Sequence, residues 1–184
     1  MYNTLNNMPE HHHPMGKYVL PEPYPEINVS AKNPFYAGLL LDDYASQKSE
    51  LNAINQYFYH HLRFKDVGLQ DIAELVVAIS ITEMHHLEMI GELILKLGGD
   101  PRFRGFQNNN NQYYSGEYVY YGNHVLEMLS ADIEAEKGAI QQYRRHVDQI
   151  QDPFIKAILN RIIMDEEYHL KLFMEAYRKY SAKS

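Results

Sequence analysis

The sequence predicts an all-α protein, a bundle of four helices in which a long crossover joins the second helix to the third. Three observations lead to this fold class. Apolar residues recur at the 3.6-residue spacing of a helix face over four long stretches. Glycine and proline mark the ends of those stretches. The 184 residues, of which 45% are hydrophobic and 22% charged, suffice for one domain with a buried core.

The composition excludes several classes of protein. The absence of cysteine excludes a disulfide scaffold, an iron–sulfur cluster and a thiol nucleophile in this chain. A net charge of −7 without a basic cluster argues against a nucleic-acid partner or an anionic membrane surface. Charges interrupt the apolar stretches, so we expect no membrane partner. Because the N-terminus lacks the pattern of a secretory signal, we expect a cytoplasmic protein.

The chain begins with a proline-rich arm, residues 1–33. Its five prolines predict an extended segment rather than a helix. Three consecutive histidines from an extended segment cannot converge on one ion, so we interpret His11, His12 and His13 as a solvated or weakly metal-binding tract.

The four predicted helices occupy residues 34–184, and turn signals separate them. Asn33-Pro34 is a cap and first-turn pair that starts the first helix. Gly98-Gly99 ends the second helix, and Asp152-Pro153 starts the fourth. The predicted bounds are about 34–64, 70–97, 123–150 and 153–180.

Polar pairs interrupt two of the apolar stripes. Glu83 and His86 fall on one face of the second helix, in line with apolar residues on both sides. Glu166 and His169 repeat this spacing on the fourth helix, whereas Glu167 lies off that face. A buried carboxylate beside a buried imidazole is costly without a partner, so a bound cation is the natural hypothesis.

The other two helices each offer one inward glutamate, Glu50 and Glu136. Four carboxylates are neutralised by two divalent cations, and two neutral imidazoles complete the ligand set. The sequence therefore predicts two metal ions held by Glu50, Glu83, His86, Glu136, Glu166 and His169.

The spacing of these glutamates supports the crossover. Glu50 and Glu83 are 33 residues apart and Glu136 and Glu166 are 30 apart, as expected for antiparallel helices joined by tight turns. Glu83 and Glu136 are 53 apart, and the surplus of roughly twenty residues suits a crossover along the bundle. The crossover is predicted at about residues 100–122, a tyrosine-rich stretch without helical period.

Four segments resemble the helix signatures of the ferritin-like superfamily, with a close match to bacterioferritin: Glu50–Phe58, Glu83–His86, Asp132–Glu136 and Asp165–His169. The resemblance covers about residues 42–180. It implies a ferritin-like four-helix bundle in which the same six residues are the metal ligands, with Glu83 and Glu166 bridging the two ions. It also implies oxidoreductase chemistry on dioxygen or hydrogen peroxide, in which the four glutamates act through the metals.

Related families leave the activity open. Rubrerythrins are similar but carry a second glutamate where this chain has Ala139, together with a cysteine-rich iron domain. Manganese catalases also resemble the ligand pattern, and the tyrosine-rich residues 113–121 are similar to their elaborated loops. Carboxylates and imidazoles suit two Fe or two Mn ions alike. Three alternatives follow: a di-iron ferroxidase or peroxidase, a manganese-catalase-type dismutase, and a subunit of an iron-storage cage or metal-stabilised coat.

Other residues carry weaker functional interpretations. Met84 sits where bacterioferritins place a haem-ligating methionine, although packing is the commoner role and a haem is not expected. Tyr57, on the face of Glu50, is a candidate hydrogen-bond donor or radical trap, with core packing as the alternative. Asp132, one turn before Glu136, is expected to orient a ligating imidazole. Four histidines are expected at the surface or at helix caps: His60, His61, His124 and His146.

The resemblance also bears on partners. We expect a homo-oligomer, at least a dimer. The tyrosine-rich crossover is expected either to form part of the interface between subunits or to cover the bundle. Peroxide reduction would require an external electron donor. We expect deletion of the N-terminal arm to leave the metal centre intact.

Overall fold

A computed structural model describes residues 17–107 and 110–182 of the chain. Within these residues the fold consists of five α-helices, a β-hairpin and one turn of 3₁₀-helix. The predicted all-α bundle with a long crossover is confirmed. The helices are α1 (Pro34–Ala45), α2 (Glu50–Asp66), α3 (Gln70–Lys96), α4 (Val125–Gln149) and α5 (Pro153–Ser181). The crossover contains β1 (Arg104–Gln107), β2 (Asn110–Tyr113) and the 3₁₀ turn Gly116–Tyr118.

Two antiparallel helix pairs make up the bundle. A three-residue turn joins α2 to α3, and Gly68 in that turn has a φ of +77°, which favours glycine. A similarly short turn joins α4 to α5, where the Asp152 side chain accepts a hydrogen bond from the Phe154 N–H and caps α5. These short turns align each pair side by side, so that their buried faces form one core.

The predicted first helix is wrong in one respect, because it is broken at residues 46–49. Ser46 ends α1, and Ser49 caps α2 by accepting a hydrogen bond from the Asn52 N–H. The Ser49 hydroxyl also donates to the Ser46 carbonyl at 2.7 Å. Such local serine contacts compete with helix continuation. The break makes Glu50 the first residue of α2, where the helix dipole stabilises its negative charge.

The crossover includes a β-hairpin that the sequence did not predict. β1 and β2 are antiparallel, with Arg104 opposite Tyr113, and β1 packs on α1. A Cβ at Gly105 would lie 2.9 Å from both Asp42 Oδ1 and Ser46 Cβ, so this close approach requires glycine.

Residues 17–33 form neither helix nor strand, as their prolines predict. The Asn33 side chain accepts hydrogen bonds from the Phe35 and Tyr36 N–H groups and starts α1 as expected. His11, His12 and His13 lie outside the described residues. The division of the chain into an arm and a bundle at residue 33 remains a prediction.

The core has two apolar clusters with a polar layer between them. One cluster lies where α1 meets the C-terminal half of α3, the other where the first half of α3 meets the end of α5. The polar layer falls between Ile79 and Met89 on α3, and between Ile163 and Phe173 on α5. No helix in the described part of the chain is long and apolar enough to cross a bilayer.

Candidate metal centre

The structure brings the six predicted ligands together in the polar layer, which we call the candidate centre. The most exposed of the six is Glu50, at only 3%. They form two groups, and within each group the candidate ligand atoms all lie within 4.8 Å of one another. Both groups share two glutamates. The groups are Glu50, Glu83, His86 and Glu166, and Glu83, Glu136, Glu166 and His169.

Glu83 occupies the middle of the candidate centre. Its Oε2 lies 2.8 Å from Nδ1 of His86, and its Oε1 lies 2.8 Å from Nδ1 of His169. The two imidazole rings face each other, with centroids 6.2 Å apart and planes inclined by 29°. Glu166 Oε1 lies 2.9 Å from the same nitrogen of His86. One carboxylate therefore faces both histidines.

The candidate ligand atoms suit a cation, because several of these oxygen and nitrogen atoms have no hydrogen-bond partner. Nε2 of His169 lies 2.8 Å from the carbonyl of Tyr18, so Nε2 donates and Nδ1 carries the lone pair. Burial lowers the pKa of His169, which keeps the ring neutral. This Nδ1, Glu83 Oε1 and Glu166 Oε1 are buried without a hydrogen-bond partner among the described residues. Lone pairs that face one another inside a core require a cation or a proton between them.

Electrostatic repulsion within the candidate centre is strong. Burial, together with the charge of Glu50, raises the pKa of Glu83 well above its usual range. Burial and the charge of Glu166 do the same for Glu136. Burial and the charge of Glu83 raise the pKa of Glu166 to about 8. Burial and mutual repulsion therefore favour the protonated form of Glu83, Glu136 and Glu166 unless cations replace the protons.

Two tyrosines donate hydrogen bonds to the outer glutamates. The Tyr57 hydroxyl donates to Glu136 Oε1 at 2.6 Å, and the Tyr143 hydroxyl donates to Glu50 Oε1. Burial raises the pKa of both tyrosines well above the ordinary value, so the hydroxyls stay protonated. The candidate role of Tyr57 as a hydrogen-bond donor is thus supported by a direct contact, and Tyr143 is its counterpart on the other glutamate.

The interpretation of Asp132 is wrong, and so is that of His60. Asp132 does not contact either predicted histidine ligand; it pairs with Nδ1 of His60 at 2.8 Å and accepts a hydrogen bond from Gln56 at 2.9 Å. His60 is fully buried, and its Nε2 lies 2.9 Å from the Tyr120 carbonyl. The pair of His60 and Asp132, together with the contact to the Tyr120 carbonyl, joins α2 to the crossover.

His146 is also buried rather than at the surface, because its Nδ1 lies 2.7 Å from Asp43 Oδ2 on α1. His124 is exposed and precedes the first residue of α4, as expected. His61 is half-buried with Nδ1 2.8 Å from the Ala73 carbonyl. Neither of the last two belongs to the candidate centre.

Three residues next to the ligands in sequence point away from them. Met84, the candidate haem ligand, is 48% exposed on the outer face of α3. His85 lies beside Glu88 on that face, 4.0 Å away. Glu167 is exposed and pairs with Arg144 at 2.5 Å. The position of Glu167 off the ligand face is as predicted.

A small cavity reaches the candidate centre between α2 and α4. Its volume is about 20 Å³, and its lining includes Glu50, Glu136 and Glu166 together with Ala53 and Ala139. This volume is sufficient for about one water molecule. The cavity therefore suits a reactant of very few atoms.

The described part of the arm contacts the candidate centre, and the expected effect of deleting the arm stays a prediction. Tyr24 of the arm lies 3.2 Å from Nε2 of His86, and its hydroxyl donates to Asp165. Asp165 Oδ2 is 3.3 Å from the same nitrogen. The arm therefore covers the side of the histidines that faces away from the four glutamates.

Comparison with known proteins identifies the family. A family model described as a ferritin-like domain matches residues 45–181, which is most of the chain. The chain belongs to the ferritin-like family.

The relatives of this ferritin-like chain include a bacterioferritin and a probable manganese catalase. The bacterioferritin of Streptomyces coelicolor is 33% identical over 125 residues, covering 66% of this chain and 69% of that protein. A probable manganese catalase of Clostridium acetobutylicum is 26% identical over 172 residues, covering 84% of this chain and 75% of that protein.

Solved structures show the same two kinds of neighbour. A manganese catalase from Anabaena has a TM-score of 0.77 at 28% identity, covering 88% of this chain and 80% of the other. A Rhodobacter capsulatus bacterioferritin has a TM-score of 0.71 at 27% identity, covering 84% of this chain and 90% of the other. The ferritin-like fold is therefore shared with both kinds.

The sequence did not indicate a role at the candidate centre for four residues: Tyr24, Tyr143, Arg161 and Asp165. Tyr143 lies seven residues after Glu136, so helical periodicity does place it on the inner face. Asp165 and Arg161 are four residues apart and form an ion pair of 2.7 Å, which is a recognisable helix spacing. Tyr24 had no such signal, because the arm has no period.

Proposed function

We propose that this chain is a di-metal oxidoreductase that acts on dioxygen or hydrogen peroxide. Glu50, Glu83, His86, Glu136, Glu166 and His169 would hold two iron or manganese ions, with Glu83 and Glu166 shared between the two sets, and the ions would supply the redox chemistry. The observation that carries the proposal is the position of Glu83, whose two oxygens each lie 2.8 Å from a different histidine nitrogen. A single carboxylate between two imidazoles suits two cations better than one.

The chemistry fits a small oxidant. Two bound redox-active ions supply the two electrons that reduce dioxygen to peroxide, or peroxide to two water molecules, with two protons consumed in each case. The cavity of about 20 Å³ beside Glu50 and Glu136 has room for about one water molecule, which suits a reactant as small as dioxygen or hydrogen peroxide. Tyr57 and Tyr143 hold the outer glutamates in place through their hydroxyls.

The first candidate activity is iron-dependent, with two ferrous ions oxidised per chain or peroxide reduced by an external donor. The test is anaerobic loading with two Fe²⁺ per chain, followed by a pulse of dioxygen or hydrogen peroxide in stopped-flow absorption. Rapid oxidation of both ions in wild type, and its loss in Glu83→Gln, would support the proposal. Oxidation no faster than that of free Fe²⁺ in buffer would overturn the iron-dependent activity.

A second candidate, manganese-dependent dismutation, is favoured by the extent of the similarity. The match to the probable manganese catalase covers 84% of this chain, against 66% for the Streptomyces bacterioferritin. In dismutation, two molecules of hydrogen peroxide yield two of water and one of dioxygen without an external donor. Dioxygen evolution by Mn²⁺-loaded protein, measured with an oxygen electrode, would select this activity, whereas its absence would leave the iron-dependent one.

The third alternative is a storage or coat subunit in which the ions have no turnover. This role would require a large assembly. We further propose that the chain is a homo-oligomer, at least a dimer. An exposed apolar groove of about 690 Å³ along the outer face of α3, lined by Ile81, Met84 and Leu95, supports an interface there. Light scattering distinguishes a dimer from a large shell.

A further inference from the structure

The arm contacts both histidines of the candidate centre on their outer side. The main-chain carbonyl of Tyr18 lies 2.8 Å from Nε2 of His169, and the Tyr24 hydroxyl lies 3.2 Å from Nε2 of His86. In each ring the other nitrogen, Nδ1, faces the glutamates. Residues 18–24 therefore contact the outer nitrogen of both imidazoles.

Arg161 on α5 fixes the arm in this position. Its Nε donates to the Glu22 carbonyl and its Nη2 to the Leu20 carbonyl, both at 2.8 Å. Its guanidinium carbon lies 4.3 Å from the centre of the Tyr24 ring. The planar guanidinium of one arginine thus binds two carbonyls of the arm that are two residues apart.

Asp165 connects the arm to one histidine only. Its Oδ1 accepts a hydrogen bond from the Leu20 N–H at 2.9 Å. Its Oδ2, which lies 3.3 Å from Nε2 of His86, accepts a hydrogen bond from the Tyr24 hydroxyl. His86 thus has a carboxylate and a phenol on its outer side, whereas His169 has a neutral carbonyl from Tyr18. The two halves of the centre are chemically unequal.

We propose that residues 18–24 are a strap that positions both histidine ligands, and that Tyr24 strengthens the binding of the ion beside His86 in particular. This inference rests on the proposed function, because it requires two ions. Tyr24 is a positioning residue, acting on the metal through His86 and Asp165. Removing an outer partner of a metal-bound histidine typically weakens metal affinity by about 10–100-fold.

The test compares Tyr24→Phe with Tyr36→Phe in the full chain. Tyr36 is a matched control, since its hydroxyl accepts a hydrogen bond from the Gln151 N–H at 3.1 Å and does not contact the centre. Each protein is loaded with Co²⁺, its visible absorption spectrum is recorded, and release to excess chelator is followed. We expect Tyr24→Phe to release one of its two ions about tenfold faster than wild type, with an altered spectrum. The second ion should leave at the wild-type rate.

A second variant tests the strap independently. Arg161→Lys keeps a positive charge beside Asp165 but cannot bind the Leu20 and Glu22 carbonyls together as the guanidinium does. Because this loosens the contacts to both histidines, we expect faster release of both ions. Both variants should retain the far-UV circular dichroism of wild type.

The outcomes separate this inference from the proposed function. If both Tyr24→Phe and Arg161→Lys bind two ions and release them at wild-type rates, residues 18–24 do not position the histidines. The proposed metal centre would be unaffected by that result. A lower melting temperature of the metal-free variants with an unchanged Co²⁺ spectrum would also overturn the strap, since the arm would then only stabilise the fold. Fewer than two ions in wild type would overturn both.

Discussion

The metal-free protein should become less stable as the pH rises from about 6 to about 8. Glu166 has a pKa of about 8 in the fold, against an ordinary value of 4.5, because of burial and the charges of Glu83 and Glu50. Between these two values the folded protein keeps a proton that the unfolded chain has released. The folded state then binds more protons than the unfolded state, so the free energy of unfolding falls with rising pH.

The magnitude follows from the geometry of the centre. Two carboxylate charges at the 4.8 Å limit of each group repel by about 3 kcal/mol at an effective dielectric constant of about 20. One such proton changes the free energy of unfolding by about 1.4 kcal/mol per pH unit. Glu166 is half ionised at pH 8, the upper end of the range. Its titration should therefore lower the free energy of unfolding by about 2 kcal/mol between pH 6 and 8.

Urea unfolding followed by circular dichroism, with chelator present, measures this effect. Glu166→Gln cannot titrate and should show a smaller decrease, while Glu167→Gln, on the exposed neighbour, should behave as wild type. His60 and His146 also have raised pKa values, from their aspartate partners, and lose stability in the same direction. Their effect is common to all three proteins and cancels in the comparison. Equal pH dependence in wild type and Glu166→Gln would refute the assignment of repulsion to the centre.

Three further outcomes are expected. Glu83→Ala should lose both ions, whereas His85→Ala should keep wild-type metal content in elemental analysis. A large loss of metal in His85→Ala would mean that the ligands were assigned to the wrong face of α3. Asp132→Ala leaves His60 buried without its partner and should lower the free energy of unfolding by about 3–5 kcal/mol, with two ions still bound at saturation. Tyr57→Phe should cost about 1 kcal/mol in unfolding, and no measurable change would mean that its hydrogen bond is unimportant to the fold.

Periodicity made the ligands predictable. Glu83 and His86 interrupt an apolar stripe, and the same spacing at Glu166 and His169 implies that both pairs face one core. Because an α-helix is rigid, spacing along the sequence converts directly into direction in space. The four long helices and the crossover between α3 and α4 followed from the same regularity.

The features that were not predicted depend on contacts between distant segments. His60 looked isolated on α2 because its partner, Asp132, is 72 residues away on α4. The break before Glu50 arises from local serine hydrogen bonds that a hydrophobic pattern does not register. Tyr24 reaches Asp165, 141 residues further along the chain, from an arm without periodicity. In such segments only the packed structure determines which side chain meets which.

The most direct test of the di-metal centre is a count of the ions bound per chain. Wild type and Glu83→Gln would be loaded with Mn²⁺ or Fe²⁺, desalted, and analysed by native mass spectrometry together with elemental analysis. Two ions per chain in wild type, and loss of both in Glu83→Gln, are predicted because the two oxygens of Glu83 face both histidines. No bound ion in wild type, or two ions retained in Glu83→Gln, would contradict the proposed centre.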